Sequence, residues 1–508
     1  MVLTSHFTLE RCTADRRAPR TAALIGSGDG IAFDAVLWHD GGSRLVAAAP
    51  WERLRRGGFT SQEERRMIAR HNALRSWMLC LWVLVLGTAV ATGQSLTVQS
   101  SERSGTYDLE QDVVFTIAPA RGVASVDWDA VAATVTRDGW EKLASPTIQR
   151  RGESIEVRFR PQAPGWYMCE VSSSTDAKAA ARAGVVVGAD KIKASMPEPD
   201  DLDSFWNARR DALKAMPLRA EMSPVESPDP DIACVSVELP CPQVNPVRGY
   251  LAQPKDVGLR GAPAILYVRA AGVSGDWCKA SPQHATWLAK RYGAMVLDIN
   301  AHGMLNGQPQ EYYTNLEQGE LRDYRAQGND DKDAFYFVGM YVRLLRAIEF
   351  IATRDAWNGK HLLTIGESQG GGQALAAAGL DKRVSAVVAL VPAMCDFTGP
   401  VAGRSGGWPQ PVGADVQSPG VKKIIDAVRY CDNVHLASRS QAETLIFVGL
   451  VDTACPPHGI IATYNNLPDK KWILMYPHKP HSGLPEEDLW LGDISGHQDM
   501  FIRSHFGQ

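Results

Sequence analysis

The residues with the clearest chemical potential are Gly366-Glu367-Ser368-Gln369-Gly370, followed by Gly371 and Gly372. G-x-S-x-G is the pattern of a nucleophile elbow, a sharp strand-to-helix turn that lifts a serine hydroxyl above a sheet. Gly366 and Gly370 would admit the strained turn and the close approach of helix to strand. The pattern alone could be a Gly-rich structural turn. Its surroundings argue for the elbow: HLLTI before it reads as a strand and GGQALAAAGL after it as a helix.

A serine hydroxyl at its free pKa is a poor nucleophile, so it needs a base, and the base needs an orienting acid. In sheets of this kind the order along the chain is Ser, then Asp or Glu, then His. The segment TLIFVGLVD ends at Asp452, and KWILMYP ends just before His478 and His481. Both loops would lie at carboxyl ends of strands, where such sheets place their ligands. Asp452 is the expected acid, with Asp396 the next candidate. His478 stands beside the cation Lys479, which would oppose an imidazolium. His481 precedes Ser482-Gly483, which permits a tight turn over the site mouth. His481 is therefore assigned as general base and His478 to the pocket wall or surface. An oxyanion hole should use the Gln369 N–H and an N–H at Ala271 or Gly272, in the loop after PAILYVRA. His302 and His458 fall near strand ends and could be packed, hydrogen-bonded residues.

The elements that would position these groups alternate between strand and helix from about residue 230. RGYLAQP, PAILYVRA, GAMVLDIN, HLLTIG, VSAVVALVP, TLIFVGLVD and KWILMYP are strand candidates, several of them continuous apolar runs. Between Asp333 and Arg354, apolar residues recur at helical spacing (Val338, Tyr341, Leu345, Ile348, Ile351), which predicts a core-facing helix. The expectation is an α/β-hydrolase fold, a mostly parallel sheet with helices on both faces, over 216–508. Residues 191–215 read as a connector with an amphipathic stretch.

Residues 94–190 hold short β-branched or aromatic segments separated by turns, which predicts a small immunoglobulin-like β-sandwich. Tyr167 stands two residues before Cys169, as in a late strand of such domains, but no second cysteine is placed to bridge the sheets. Trp77–Ala91 (WMLCLWVLVLGTAVA) is an uncharged apolar run with Arg70 and Arg75 before it and Ala89-Val90-Ala91 at its end. It predicts a signal peptide over 67–93 and a secreted or periplasmic protein. Residues 1–66 are expected to be a disordered or mis-assigned upstream extension, with Met67 the true start. Seven cysteines follow the leader, so at least one would stay unpaired in an oxidising compartment. A net charge of −4 gives no basic excess for a nucleic-acid partner, and an uncleaved leader would be the sole route to a membrane.

DAFYFVGMYVRLLRAIEFIATRDAWNGKHLLTIGESQGGGQALAAAGL, together with GLVDTACPP and the later TYNNL, resembles the acetyl xylan esterase and cephalosporin C deacetylase family, carbohydrate esterase family seven. The resemblance spans about residues 200–500. It implies removal of acetyl groups from short xylo-oligosaccharides and related small molecules, without metal or cofactor, by ring-like homo-oligomers. It also places the base a few residues beyond a Tyr-Pro pair, which His481 fits. Two departures stand out: His302-Gly303-Met304 where the family has Arg-Gly-Gln, and Ser482 where it has Glu after the base. The rival readings are an α/β-hydrolase peptidase or other carboxylesterase, and a non-catalytic carbohydrate-binding protein on the same scaffold.

Overall fold

The computed structural model describes residues 95–508, all within one compact unit. The upstream extension (1–66) and the leader (67–93) lie outside the described residues. Among the described residues, no helix is long and apolar enough to cross a membrane.

Nine strands come first: β1 (Leu96–Ser100), β2 (Thr106–Tyr107), β3 (Val113–Pro119), β4 (Val131–Arg137), β5 (Glu141–Lys142), β6 (Thr147–Arg151), β7 (Ser154–Phe159), β8 (Gly165–Ser173) and β9 (Ala181–Val187). They form a four-stranded sheet, β1-β3-β7-β6, and a five-stranded sheet, β2-β9-β8-β4-β5. Alternate residues of the central strands point inward (Val113, Phe115 and Ile117 from β3; Ile155, Val157 and Phe159 from β7), and they meet Tyr167, Cys169, Val171 and Val185 from the other sheet in one core. β8 departs from this alternation because both its faces are covered. Tyr167, Cys169 and Val171 face the sandwich core, while Trp166 and Met168 pack on Val451 of the following domain.

The third sheet has nine strands: β10 (Glu221–Pro224), β11 (Ile232–Cys241), β12 (Val244–Pro254), β13 (Ala262–Val268), β14 (Met295–Ile299), β15 (Trp357–Glu367), β16 (Ala386–Leu390), β17 (Glu443–Gly449) and β18 (Lys471–Tyr476). Their order is β10-β11-β12-β14-β13-β15-β16-β17-β18. β13 to β18 are mutually parallel and β10 to β12 add an antiparallel wing. Seven of these strands coincide with those expected from apolar runs; the hairpin partners β10 and β11 are additional.

The pleat sends Leu266, Val268, Leu297 and Ile446 to one face, where helices Leu202–Ala215, Tyr336–Ala352, Gln369–Leu380 and Pro457–Asn466 cover them. Ile265, Val296, Leu363 and Phe447 go to the other face, under helices Pro282–Tyr292 and Ile494–Phe506. The amphipathic stretch of the connector anchors one face in the core: Leu202, Phe205, Trp206 and Leu213 are buried, and the Trp206 indole donates to the Tyr430 carbonyl at 2.9 Å. The winding reverses between β13 and β15, which opens a crevice at their carboxyl ends.

Hydrogen bonds to main-chain carbonyls tie the sandwich to the second domain. Gly184 N–H donates to Pro477 O at 2.8 Å, and Trp166 Nε1–H donates to Leu450 O at 2.7 Å. A side chain at Gly184 has no room, since a Cβ there would lie 1.8 Å from Leu450 O.

Candidate active site

Ser368 follows the last residue of β15 and caps the helix Gln369–Leu380, with φ 57° and ψ −120°. That strained conformation is held by its backbone, since Ser368 N–H donates to Leu390 O at 2.9 Å and Ser368 O accepts from Ala393 N–H at 2.9 Å. Gly366 and Gly370 are required by contact: a Cβ on Gly366 would meet the Gly370 carbonyl carbon at 2.4 Å, and one on Gly370 would meet Val268 O at 2.3 Å.

The loops after β17 and β18 bring two more residues to this hydroxyl. Ser368 Oγ and His481 Nε2 are 2.9 Å apart, and His481 Nδ1 and Asp452 Oδ2 are 2.8 Å apart. Asp452 is fully buried, and its Oδ1 accepts the N–H groups of Ala454 and Cys455 at 2.8 and 2.9 Å. With the carboxylate so held, Nδ1 carries the proton, and Nε2 is left to accept from the Ser368 hydroxyl. The Cys455 sulfur joins Asp452 and His481 in a group whose donor atoms lie within 4.8 Å. Both Asp452 oxygens already have other partners, and burial pushes the Cys455 thiol well above its ordinary range, so it stays protonated.

The remaining candidates separate. His478, expected on the pocket wall or surface, is a domain brace. Its Nδ1 meets Asp488 Oδ1 at 2.8 Å and its Nε2 donates to Val98 O of the sandwich at 2.8 Å. Burial opposes charge on this ring, but the Asp488 hydrogen bond and charge outweigh it and raise the pKa. Lys479, expected to oppose an imidazolium at His478, instead turns inward and donates to Pro480 O and His481 O at 3.0 and 3.1 Å, shaping the loop that presents His481. Asp396 does not reach His481. Its Oδ1 accepts from Ser195 N–H at 2.9 Å, and its backbone N–H donates to Asp432 at 2.8 Å. His458 is buried and donates from Nε2 to Ser405 O at 2.8 Å.

The Gln369 N–H opens the helix, where a donor has no intrahelical acceptor, and the Gln369 side chain accepts from the Tyr324 hydroxyl at 2.8 Å. Across the crevice, the Ala271 carbonyl accepts from Trp277 Nε1–H at 2.7 Å and the Gly272 carbonyl from His302 Nε2 at 2.9 Å. In a trans peptide the N–H points opposite to the carbonyl. Fixing the Ala271 carbonyl therefore fixes the Gly272 N–H, and φ +114° at Gly272 suits glycine. His302 is fully buried, and burial, with Arg343 nearby, lowers its pKa to about 3. The ring is therefore neutral: Nε2–H donates to Gly272, and Nδ1 accepts from the Tyr336 hydroxyl at 2.8 Å. The sequence marked His302 by its place at a strand end and as a departure from the family pattern, and nothing in it pointed to Trp277 or Tyr336.

The arrangement can activate a hydroxyl for attack on an acyl carbon, and the Gln369 N–H lies next to it at the helix start. The acetyl xylan esterase (AXE1) family profile matches residues 189–488, starting just past β9. Acetyl esterase Axe7A of Xylanibacter ruminicola is 29% identical over 349 residues, covering 67% of this chain and 77% of that protein. The solved acetyl xylan esterase from Paenibacillus sp. R4 is similar in fold, with TM-score 0.52 and 24% identity over 63% of this chain and 98% of that one. Acetyl xylan esterase 1 from Thermoanaerobacterium sp. JW/SL YS485 gives TM-score 0.50 and 21% identity over 62% and 97%. The fold is thus that of the α/β-hydrolase esterases, and this chain, a serine carboxylic ester hydrolase, belongs to the acetyl xylan esterase family.

Proposed function

We propose that this protein is an exported carbohydrate esterase that removes acetyl groups from acetylated xylo-oligosaccharides through an acyl-enzyme on Ser368. The observation that carries the reading is the unbroken path of hydrogen bonds from Ser368 Oγ through His481 to Asp452, at 2.9 and 2.8 Å. His481 Nε2 takes the Ser368 proton as Oγ attacks the acetyl carbonyl. The oxyanion is met by the Gln369 N–H and an N–H of the Ala271–Gly272 turn. Collapse breaks the ester C–O bond, and His481 returns the proton to the departing sugar hydroxyl. Water then attacks the acetyl-serine, giving up its proton to Nε2; acetate leaves, and that proton returns to Oγ.

The apolar run Trp77–Ala91, with its basic flank and A-x-A end, supports export. We read the N-terminal sandwich as immunoglobulin-like, because the Tyr167 hydroxyl donates to Ala163 O at 2.7 Å and Tyr167 stands two residues before Cys169, as in a tyrosine corner.

The test is release of acetate from acetylated xylo-oligosaccharides and hydrolysis of p-nitrophenyl acetate by wild type and Ser368→Ala. Wild type should act on both, and the variant should lose on the order of 10⁶ in kcat. A folded Ser368→Ala protein with more than trace activity removes Ser368 from the mechanism. Cleavage of an aminoacyl anilide in preference to acetate esters would make the protein a peptidase.

A further inference from the structure

A cleft of about 410 Å³ lies between the sandwich and the hydrolase, within the size range of small-molecule sites, about 300–1,000 Å³. The sandwich contributes Thr136, Trp140 and Met168 to its wall, and the hydrolase contributes Gln410, Val412 and Thr453. Thr453 directly follows Asp452, so the cleft and the Ser368 site share the turn that carries the acid.

Trp140 is 48% exposed and lines this cleft, so part of its indole is open to a ligand. Its position is fixed. The turn between β4 and β5 runs through Asp138 (φ 52°) and Gly139 (φ 65°), and Arg137 pairs with Glu141 across it. Asp138 O accepts both the backbone N–H and the hydroxyl of Ser405 in the hydrolase, at 2.9 and 3.0 Å. The Asp138 carboxylate accepts the Trp166 N–H at 2.7 Å. The indole is therefore presented by a hairpin tip bonded to the opposite domain, which lowers the ordering cost of binding.

The chemistry of the wall selects the ligand. It offers an aromatic face, apolar patches from Met168 and Val412, threonine hydroxyls and the Gln410 amide. Its one ionised lining residue, Glu170, is paired with Arg182 at 2.8 Å, and no lining residue is cationic. An anion finds no counter-charge there. A neutral ring with C–H faces and hydroxyl edges matches both kinds of surface.

We infer that this cleft is a binding subsite for the unsubstituted sugars of a xylo-oligosaccharide, with one pyranose ring stacked on Trp140 while an acetylated residue of the same chain occupies the Ser368 site. This rests on the esterase reading above. The sandwich is then part of the substrate-binding surface.

The experiment uses the full chain. Xylotetraose, which has no acetyl group, is titrated calorimetrically into wild type, Trp140→Ala, Trp140→Phe and Gln410→Asn. Asn is chosen because Gln410 has φ 57°. In parallel, kcat/KM is measured on acetylated xylo-oligosaccharide and on p-nitrophenyl acetate. Trp140→Ala should weaken xylotetraose binding at least fivefold and lower the ratio of the two kcat/KM values at least fivefold. Trp140→Phe should recover part of both losses, and Gln410→Asn should move both in the same direction as Trp140→Ala. Absence of xylotetraose binding to wild type, or an unchanged affinity and ratio in Trp140→Ala and Gln410→Asn, overturns the inference. If wild type fails to hydrolyse p-nitrophenyl acetate, the esterase reading falls, and the xylotetraose titration alone decides the cleft.

Discussion

His478 and His481, three positions apart on one loop, each meet a buried carboxylate at 2.8 Å, Asp488 for the first and Asp452 for the second. The other nitrogen sets the role: that of His481 faces Ser368 Oγ, and that of His478 faces a carbonyl of the sandwich. His481→Ala should therefore lose on the order of 10⁶ in kcat on p-nitrophenyl acetate, with little change in melting temperature. His478→Ala should keep measurable turnover but cost about 3 kcal/mol of stability, because the buried Asp488 carboxylate loses the ring and keeps only the backbone N–H of residue 478. Thermal melts beside initial rates separate the two, and the reverse pattern would exchange their roles.

The stabilising role of His478 should depend on pH. Folding raises its pKa above the ordinary value of about 6.5. Its contribution is fully present below that value and is lost as pH rises through the folded-state pKa. The melting-temperature gap between wild type and His478→Gln should be widest near pH 6 and narrower by pH 9. A gap that stays constant across that range would mean that the ring acts by packing alone.

Two aspartates can be compared directly. Asp452→Asn should cost about 10⁴ in kcat, because the imidazole keeps its place but loses its preferred tautomer. Asp396→Asn should leave kcat within a few-fold of wild type, since Asp396 holds Ser195 rather than His481. Equal loss in the two variants would mean that the acid has been misassigned.

His302 is a positioning residue. Without the bond from Nε2, the Gly272 carbonyl and the turn beside the nucleophile lose their anchor. His302→Ala should lower kcat by about 10²-fold, the scale of a displacement near 1 Å, with a much smaller change in KM. His302→Gln, whose amide can still donate, should recover part of the rate. An equal rise in KM and fall in kcat would point to general loss of the site.

What could be read from the chain depended on how local each signal was. The elbow and β15 to β18 were legible because each parallel strand is buried on both faces and so is a continuous apolar run. β6, TIQRR, carries no such signal, because every residue in it is exposed and only its ladder to β7 makes it a strand. The amphipathic stretch near Leu202 was legible as a helix, but its four buried residues match partners far along the chain that periodicity does not reveal. The role of His478 was hidden for the same reason: its sandwich partner Val98 lies 380 residues earlier.

The contacts Gly184 N–H to Pro477 O, Trp166 Nε1–H to Leu450 O and His478 Nε2–H to Val98 O all end on main-chain carbonyls. A carbonyl is the same whichever side chain its residue carries. These bonds therefore place no demand on the side chains at 98, 450 and 477, although Val98 and Leu450 are held by their own burial in the two cores. The constraint that the contact itself imposes falls on position 184, where the Leu450 backbone sits so close that only a hydrogen fits. Heritable change that parts the two domains should therefore concentrate at that glycine.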